Sequence, residues 1–137
     1  MRTLFDTCVV SALRHDNREE RVRNRLLLLA PADCYLSAVT LGELHFGIER
    51  MAAGRKRQAL TVWLARIELI FEGRILPFDK DAARMWGLLL AAGRTLPLED
   101  AQIAATALCW DMRLATRNVR DFEGTGVELV DPWESSF

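Results

Sequence analysis

Short apolar runs alternate along the chain with longer stretches in which apolar residues recur every three or four positions. TLF at 3–5, YLSAV at 35–39, RILPF at 74–78, RLAT at 113–116 and GVELV at 126–130 read as strands. Helical spacing is found over 9–13, 18–29, 41–52, 58–71, 80–92 and 101–111. Within 58–71, Leu60, Trp63, Leu64, Ile67, Ile70 and Phe71 share one helical face, which predicts that this face is buried. The segment AAGRKR at 52–57 reads as a turn between helices. Helices lying between strands require crossover connections, so the pattern predicts an α/β fold with a largely parallel sheet. No internal repeat, low-complexity tract or linker interrupts it, and a single domain over 1–137 is expected.

In such a sheet a ligand crevice lies outside the carboxyl ends of the strands, where strand order reverses. Four acids fall at those junctions. Asp6 follows the first strand, and Glu43 sits early in the helix after YLSAV, in SAVTLGELHFG. Asp100 opens the helix of LPLEDAQIAATAL, whose alanines at 101, 104, 105 and 107 allow close packing on the sheet. Asp121 follows RLAT in TRNVRDF.

Each acid also has an ordinary explanation. Asp6 can cap a helix, Glu99 and Asp100 can favour a helix start through its dipole, and Glu43 stands three after Thr40 at capping-box spacing. Asp121 can belong to a polar turn. Their joint placement carries a cost that caps do not: two like charges 4 Å apart repel by about 4 kcal/mol at an effective dielectric near 20. Either protons bind and raise some pKa values, or a divalent cation neutralises the group. No lysine lies in the four acid-bearing segments, and hard carboxylate oxygens suit Mg²⁺ or Mn²⁺. A site of that kind hydrolyses phosphodiesters, with the metal activating water and offsetting charge on the attacked phosphate.

Composition narrows the classes. With 18 basic against 19 acidic side chains the net charge is −1, so any nucleic acid must be held by local groups rather than a global field. Cys8, Cys34 and Cys109 are odd in number, far apart and never in a CxxC pair, which points to reduced thiols and a cytoplasmic location. No membrane partner is expected, because no apolar segment approaches the roughly 20 residues of a span and the start lacks the regions of a signal peptide.

The blocks LFDTCVVSAL, YLSAVTLGELHFGIER, RILPFD, LPLEDAQIAATAL and LATRNVRDFEGTGVELVDPW, in that order, resemble those of the PIN-domain ribonucleases, specifically the toxin halves of VapBC-type toxin–antitoxin modules and the similar FitB proteins. The resemblance implies a three-layer α/β/α fold with a mostly parallel central sheet. It implies a Mg²⁺-dependent endoribonuclease, a homodimer and inhibition by a cognate antitoxin. By motif position Asp6, Glu43, Asp100 and Asp121 match the family's acidic quartet, with Asp6 and Asp100 as metal ligands. One residue departs from the pattern: the family has asparagine two residues after the first aspartate, where this chain has Cys8. A thiol is a weaker hydrogen-bond partner than an amide, so the carboxylates would be oriented more loosely.

Other residues carry two readings each. Arg117 and Asn118 contact RNA phosphate or finish a turn, and Thr116 orients a metal-bound water or ends a strand. Arg55, Lys56 and Arg57 read as a solvated loop, and Arg21, Arg23 and Arg25 as an exposed helix face. His15 and His45 lack zinc spacing to any cysteine. Trp63, Trp86, Trp110 and Trp133 read as core or interface, and exposed apolar positions around Leu44, Ile48 and Trp63 as a groove for a partner helix. The alternative to a nuclease is a catalytically weak PIN-like module that binds RNA or protein, motivated by Cys8. A receiver-type phosphoacceptor also uses acids at strand ends, but it needs a lysine near the acids, and none follows a strand end in the right region.

Overall fold

Five parallel strands form the centre of the protein in a computed structural model that describes residues 1–15, 18–93 and 95–134. The strands are β1 (Thr3–Phe5), β2 (Cys34–Ser37), β3 (Ile75–Leu76), β4 (Arg113–Ala115) and β5 (Leu129–Val130). They lie in the order β3-β2-β1-β4-β5, and all four pairings are parallel. The chain steps outward from β1 to β3, then returns to add β4 on the other side of β1. Strand order therefore reverses between β1 and β4, the place where a crevice opens at the carboxyl edge of such a sheet.

Alternation along the strands builds two cores. The cross-strand row Tyr35, Leu4, Leu114 and Leu129 packs on one face with Ile103, Ala104, Ala107 and Phe122. On the opposite face Phe5, Ala115, Val130, Leu36 and Ile75 pack with Val9, Val10, Leu26, Leu64 and Ile67. A sheet buried on both sides needs apolar residues in both phases of its strands, which is why they read as continuous apolar runs. The helices α1 (Thr7–Ala12), α2 (Glu20–Leu26), α3 (Ala38–Glu49) and α4 (Arg55–Ile70) supply residues to the second face. To the first, α5 (Lys80–Ala91), α6 (Leu98–Cys109) and α7 (Val119–Phe122) do the same. The result is the expected three-layer α/β/α arrangement, and the sheet is wholly parallel.

Several boundaries differ from the sequence reading. Ala38 and Val39 belong to α3 rather than to a strand, because the Ser37 hydroxyl accepts from the Val39 N–H at 3.0 Å and caps the helix there. The strands read at 74–78 and 126–130 pair over only two residues each. Helix α4 begins at Arg55, inside the expected turn, and Arg57 reaches Glu49 of α3 at 2.8 Å. Ile70 is 60% exposed at the rim of an apolar cavity of about 370 Å³ lined also by Leu26, Leu27, Trp63 and Ile67, whereas Ile67 before it and Phe71 after it are buried in the core. Leu44, Ile48 and Trp63 do not form an exposed groove: Ile48 is buried, and the other two pack half-buried on the same core. Arg23 and Arg25 are likewise half-buried, and their guanidinium groups donate to the carbonyls of Arg14 and Pro132, each at 2.6 Å.

Candidate active site

Asp6 is 3% exposed at the end of β1, and its two oxygens have different duties. Oδ1 accepts from the Thr7 N–H at 2.8 Å and caps α1. Oδ2 accepts from the Thr116 hydroxyl at 2.7 Å, across the switch point from the end of β4. Thr116 is fully buried, and its Oγ1 also accepts from the Asn118 N–H at 3.0 Å. It both ends the strand and fixes Asp6. The cap on α1 is real, yet it uses only half of the carboxylate.

The capping explanation fails for Glu43. Ser37 caps α3, and Glu43 lies in the second turn, not the first, half-buried with Oε1 accepting from the Thr7 hydroxyl at 2.9 Å. Thr7 Oγ1 also lies 3.1 Å from Thr40 Oγ1. A hydroxyl has one proton, and an ionised carboxylate only accepts; once Thr7 donates to Glu43, Thr40 is the donor to Thr7. This short relay ties α3 to the start of α1.

Asp100 stands third in α6, whose cap is Pro97 with no side-chain capping bond. Its carboxyl is pushed up to about 6, first by burial and then by repulsion from Asp6, Glu43, Asp121 and Glu99. Among the described residues the charged groups acting on it are all acidic. Glu43 is raised as well, by burial and by Asp6 and Glu99, while the Thr7 hydrogen bond lowers it. Asp121 is exposed in the single turn of α7, at the rim. The structure thus brings the four acids chosen from the sequence into one electrostatic field, and it adds Glu99 to them. Among the described residues no three His, Cys, Asp or Glu side chains are drawn together closely enough to hold a metal ion.

Cys8 occupies the seam between Asp6 and Thr116. Its Sγ lies 3.7 Å from Asp6 Oδ2 and 3.9 Å from Thr116 Oγ1. Burial, reinforced by the charge of Asp6, pushes the thiol up to about 11, so it is a neutral donor at neutral pH. Arg117 and Asn118 are exposed beside it, and the Arg117 guanidinium lies over the Trp133 ring, 5.1 Å from its centroid. His45 pairs instead with Glu68 at 2.7 Å, well outside this group.

The family model described as PIN domain matches residues 3–127. The chain belongs to the PIN-domain family. VapC ribonuclease Y4jK of Sinorhizobium fredii is 35% identical to it over 139 residues, covering 96% of this chain and 97% of that protein. Toxin FitB of Neisseria gonorrhoeae is 35% identical, covering 95% and 97%. The crystal structure of FitAcB from Neisseria gonorrhoeae matches with a TM-score of 0.89 at 34% identity, covering 97% of this chain and 99% of that one. For a PIN domain the informative contacts are those that strand-end logic does not reveal. Thr7 was missed, because a lone threonine after an aspartate reads as a helix start. Glu99 was read only as a dipole partner.

Proposed function

We propose that this PIN domain is a divalent-cation-dependent endoribonuclease acting as the toxin of a VapBC-type toxin–antitoxin pair. The observation that carries the reading is Asp100, raised to about 6 by burial and four other carboxylates at the switch point of the sheet. The names of its relatives, a ribonuclease and a toxin, support the same activity.

Asp6 and Asp100 would hold Mg²⁺, or Mn²⁺ in its place. The donor set fits: it is made of hard oxygens, with excess negative charge. Mg²⁺ keeps several waters and takes only one or two carboxylates from the protein, so a cage of three closed side chains is not required. When bound, the cation supplies an activated water and offsets charge on the phosphate. Glu43 and Asp121 complete the acidic cage or position the attacking water. Thr116 fixes Asp6 Oδ2 through its 2.7 Å bond. The Thr7 relay limits the motion of Glu43. Arg117 and Asn118 meet RNA phosphate at the rim. The partners are a cognate antitoxin and a second copy of the chain, in a homodimer or a larger toxin–antitoxin assembly, in the cytoplasm.

Incubating the protein with labelled RNA and Mg²⁺ or Mn²⁺, with and without chelator, beside Asp100→Asn, tests this. Cleavage is expected only with metal and an intact Asp100; cleavage that survives both chelator and substitution contradicts the reading. Cys8, wedged between Asp6 and Thr116, carries a second reading, a PIN-like module that binds RNA or protein without cutting. RNA retained without any cleavage favours that second reading.

A further inference from the structure

An acidic site must still attract a polyanion, and among the described residues the groups acting on Asp100 include no cation. Arg117 lies between Thr116, whose hydroxyl donates to Asp6, and Asn118, whose N–H donates to the Thr116 hydroxyl, so its root is fixed at the site. Its side chain does not turn toward the carboxylates. It lies over the indole of Trp133, 5.1 Å from the ring centroid.

That indole is itself anchored. Trp133 Nε1 donates to Glu19 Oε2 at 2.9 Å, and its backbone N–H donates to Asp131 Oδ1 at 2.9 Å. The preceding residue, Pro132, accepts from the Arg25 guanidinium at 2.6 Å. The Thr116 N–H donates to the Val130 carbonyl at 3.0 Å, which sets the β4 exit alongside the strap that follows β5. Two residues near or on α2 thus fasten a short segment whose ring carries Arg117.

An arginine on a flexible stem loses side-chain freedom when it takes hold of a phosphate. A guanidinium stacked on a fixed aromatic face has already lost part of it, and the cation–π contact leaves its N–H edge free to donate. We propose that Trp133, braced by Glu19, is a positioning residue that presents Arg117 to an RNA phosphate flanking the bond cut at the carboxylates. This inference rests on the nuclease reading and deepens it. Phosphate contacts of this type place the strand without reading its sequence. The guanidinium acts as a binding group, and the carboxylates alone meet the reacting atoms.

The test is steady-state cleavage of a labelled single-stranded RNA by the full chain with Mn²⁺ over a range of salt, with melting temperatures measured in parallel. Arg117→Ala and Trp133→Leu are each expected to raise KM about five-fold to tenfold with kcat little changed, equivalent to losing one braced cation. The slope of log KM against log salt should fall by about 0.7, as for one phosphate contact on a single strand. Trp133→Phe, which keeps a π face, should stay near wild type, and the double variant should be no worse than Arg117→Ala alone. A Trp133→Leu protein with lowered melting temperature but wild-type KM and salt slope overturns the proposal, as do effects that simply add. If Trp133→Leu does not fold, an unchanged KM in Arg117→Ala overturns it alone. Absence of metal-dependent cleavage by the wild type overturns the nuclease reading and this inference together, whereas cleavage with an insensitive KM removes only the inference.

Discussion

Asp6 divides its carboxylate between a helix cap and the Thr116 hydroxyl, and that division defines what each neighbour contributes. Removing the hydroxyl with Thr116→Val should leave the fold intact and lower cleavage about tenfold to a hundredfold, the usual effect of losing a group that orients a metal ligand. An RNA cleavage assay beside a melting curve checks both halves. Cys8→Asn should keep or raise metal-dependent cleavage, because an amide donates to Asp6 more strongly than a neutral thiol; a clear loss would give the cysteine a role of its own. Asp100 makes a pH prediction. Its folded-state pKa of about 6 lies above the ordinary 3.8, so the folded protein binds that proton more tightly than the unfolded chain. The stability it contributes is fully present below 3.8 and is lost as pH rises through about 6. In metal-free buffer the melting temperature should fall across that window, and Asp100→Asn should flatten the fall and be more stable than wild type near neutral pH. The acids were legible in the sequence because carboxylates at strand ends are conspicuous. Thr7 was not, since its value comes from a partner 36 positions away.

Element boundaries followed from side chains that periodicity does not weigh. Ser37 ends β2 by capping α3, although Ala38 and Val39 would fit a strand. That shift of three residues moves Glu43 from the first turn, where it would face backbone N–H groups, to the second, where it meets Thr7. Helix α6 was read correctly in character: Ala101, Ala104, Ala105 and Ala107 are all fully buried, so the helix lies close to the sheet and carries Asp100 into the crevice. Ala104→Leu should therefore overpack this contact, cost about 1–3 kcal/mol in chemical denaturation and displace Asp100 enough to reduce cleavage. Strand alternation explains the two cores, because Leu4 and Leu114 face one way and Phe5 and Ala115 the other. The exposure of Ile70 was illegible for a simpler reason: helical spacing shows which face is apolar, not which residues at the edge of that face a neighbouring element covers, and Ile67 and Phe71 on either side of it are buried.

At the scale of the whole molecule, a net charge of −1 conceals a local concentration of acids at the point where strand order reverses. The fold creates that concentration by bringing together the ends of β1 and β4 with the early turns of α3, α6 and α7, elements drawn from almost the whole length of the chain. A PIN domain so arranged has the negative charge that the proposed divalent cation would offset, and under that proposal an RNA would be gripped from the rim. The most direct measurement is calorimetric titration of the metal-free protein with Mn²⁺ near neutral pH, beside Asp100→Asn. The account predicts saturable binding by the wild type and at least about tenfold weaker binding by the variant. Absence of saturable binding, or equal affinity in the two proteins, would contradict it.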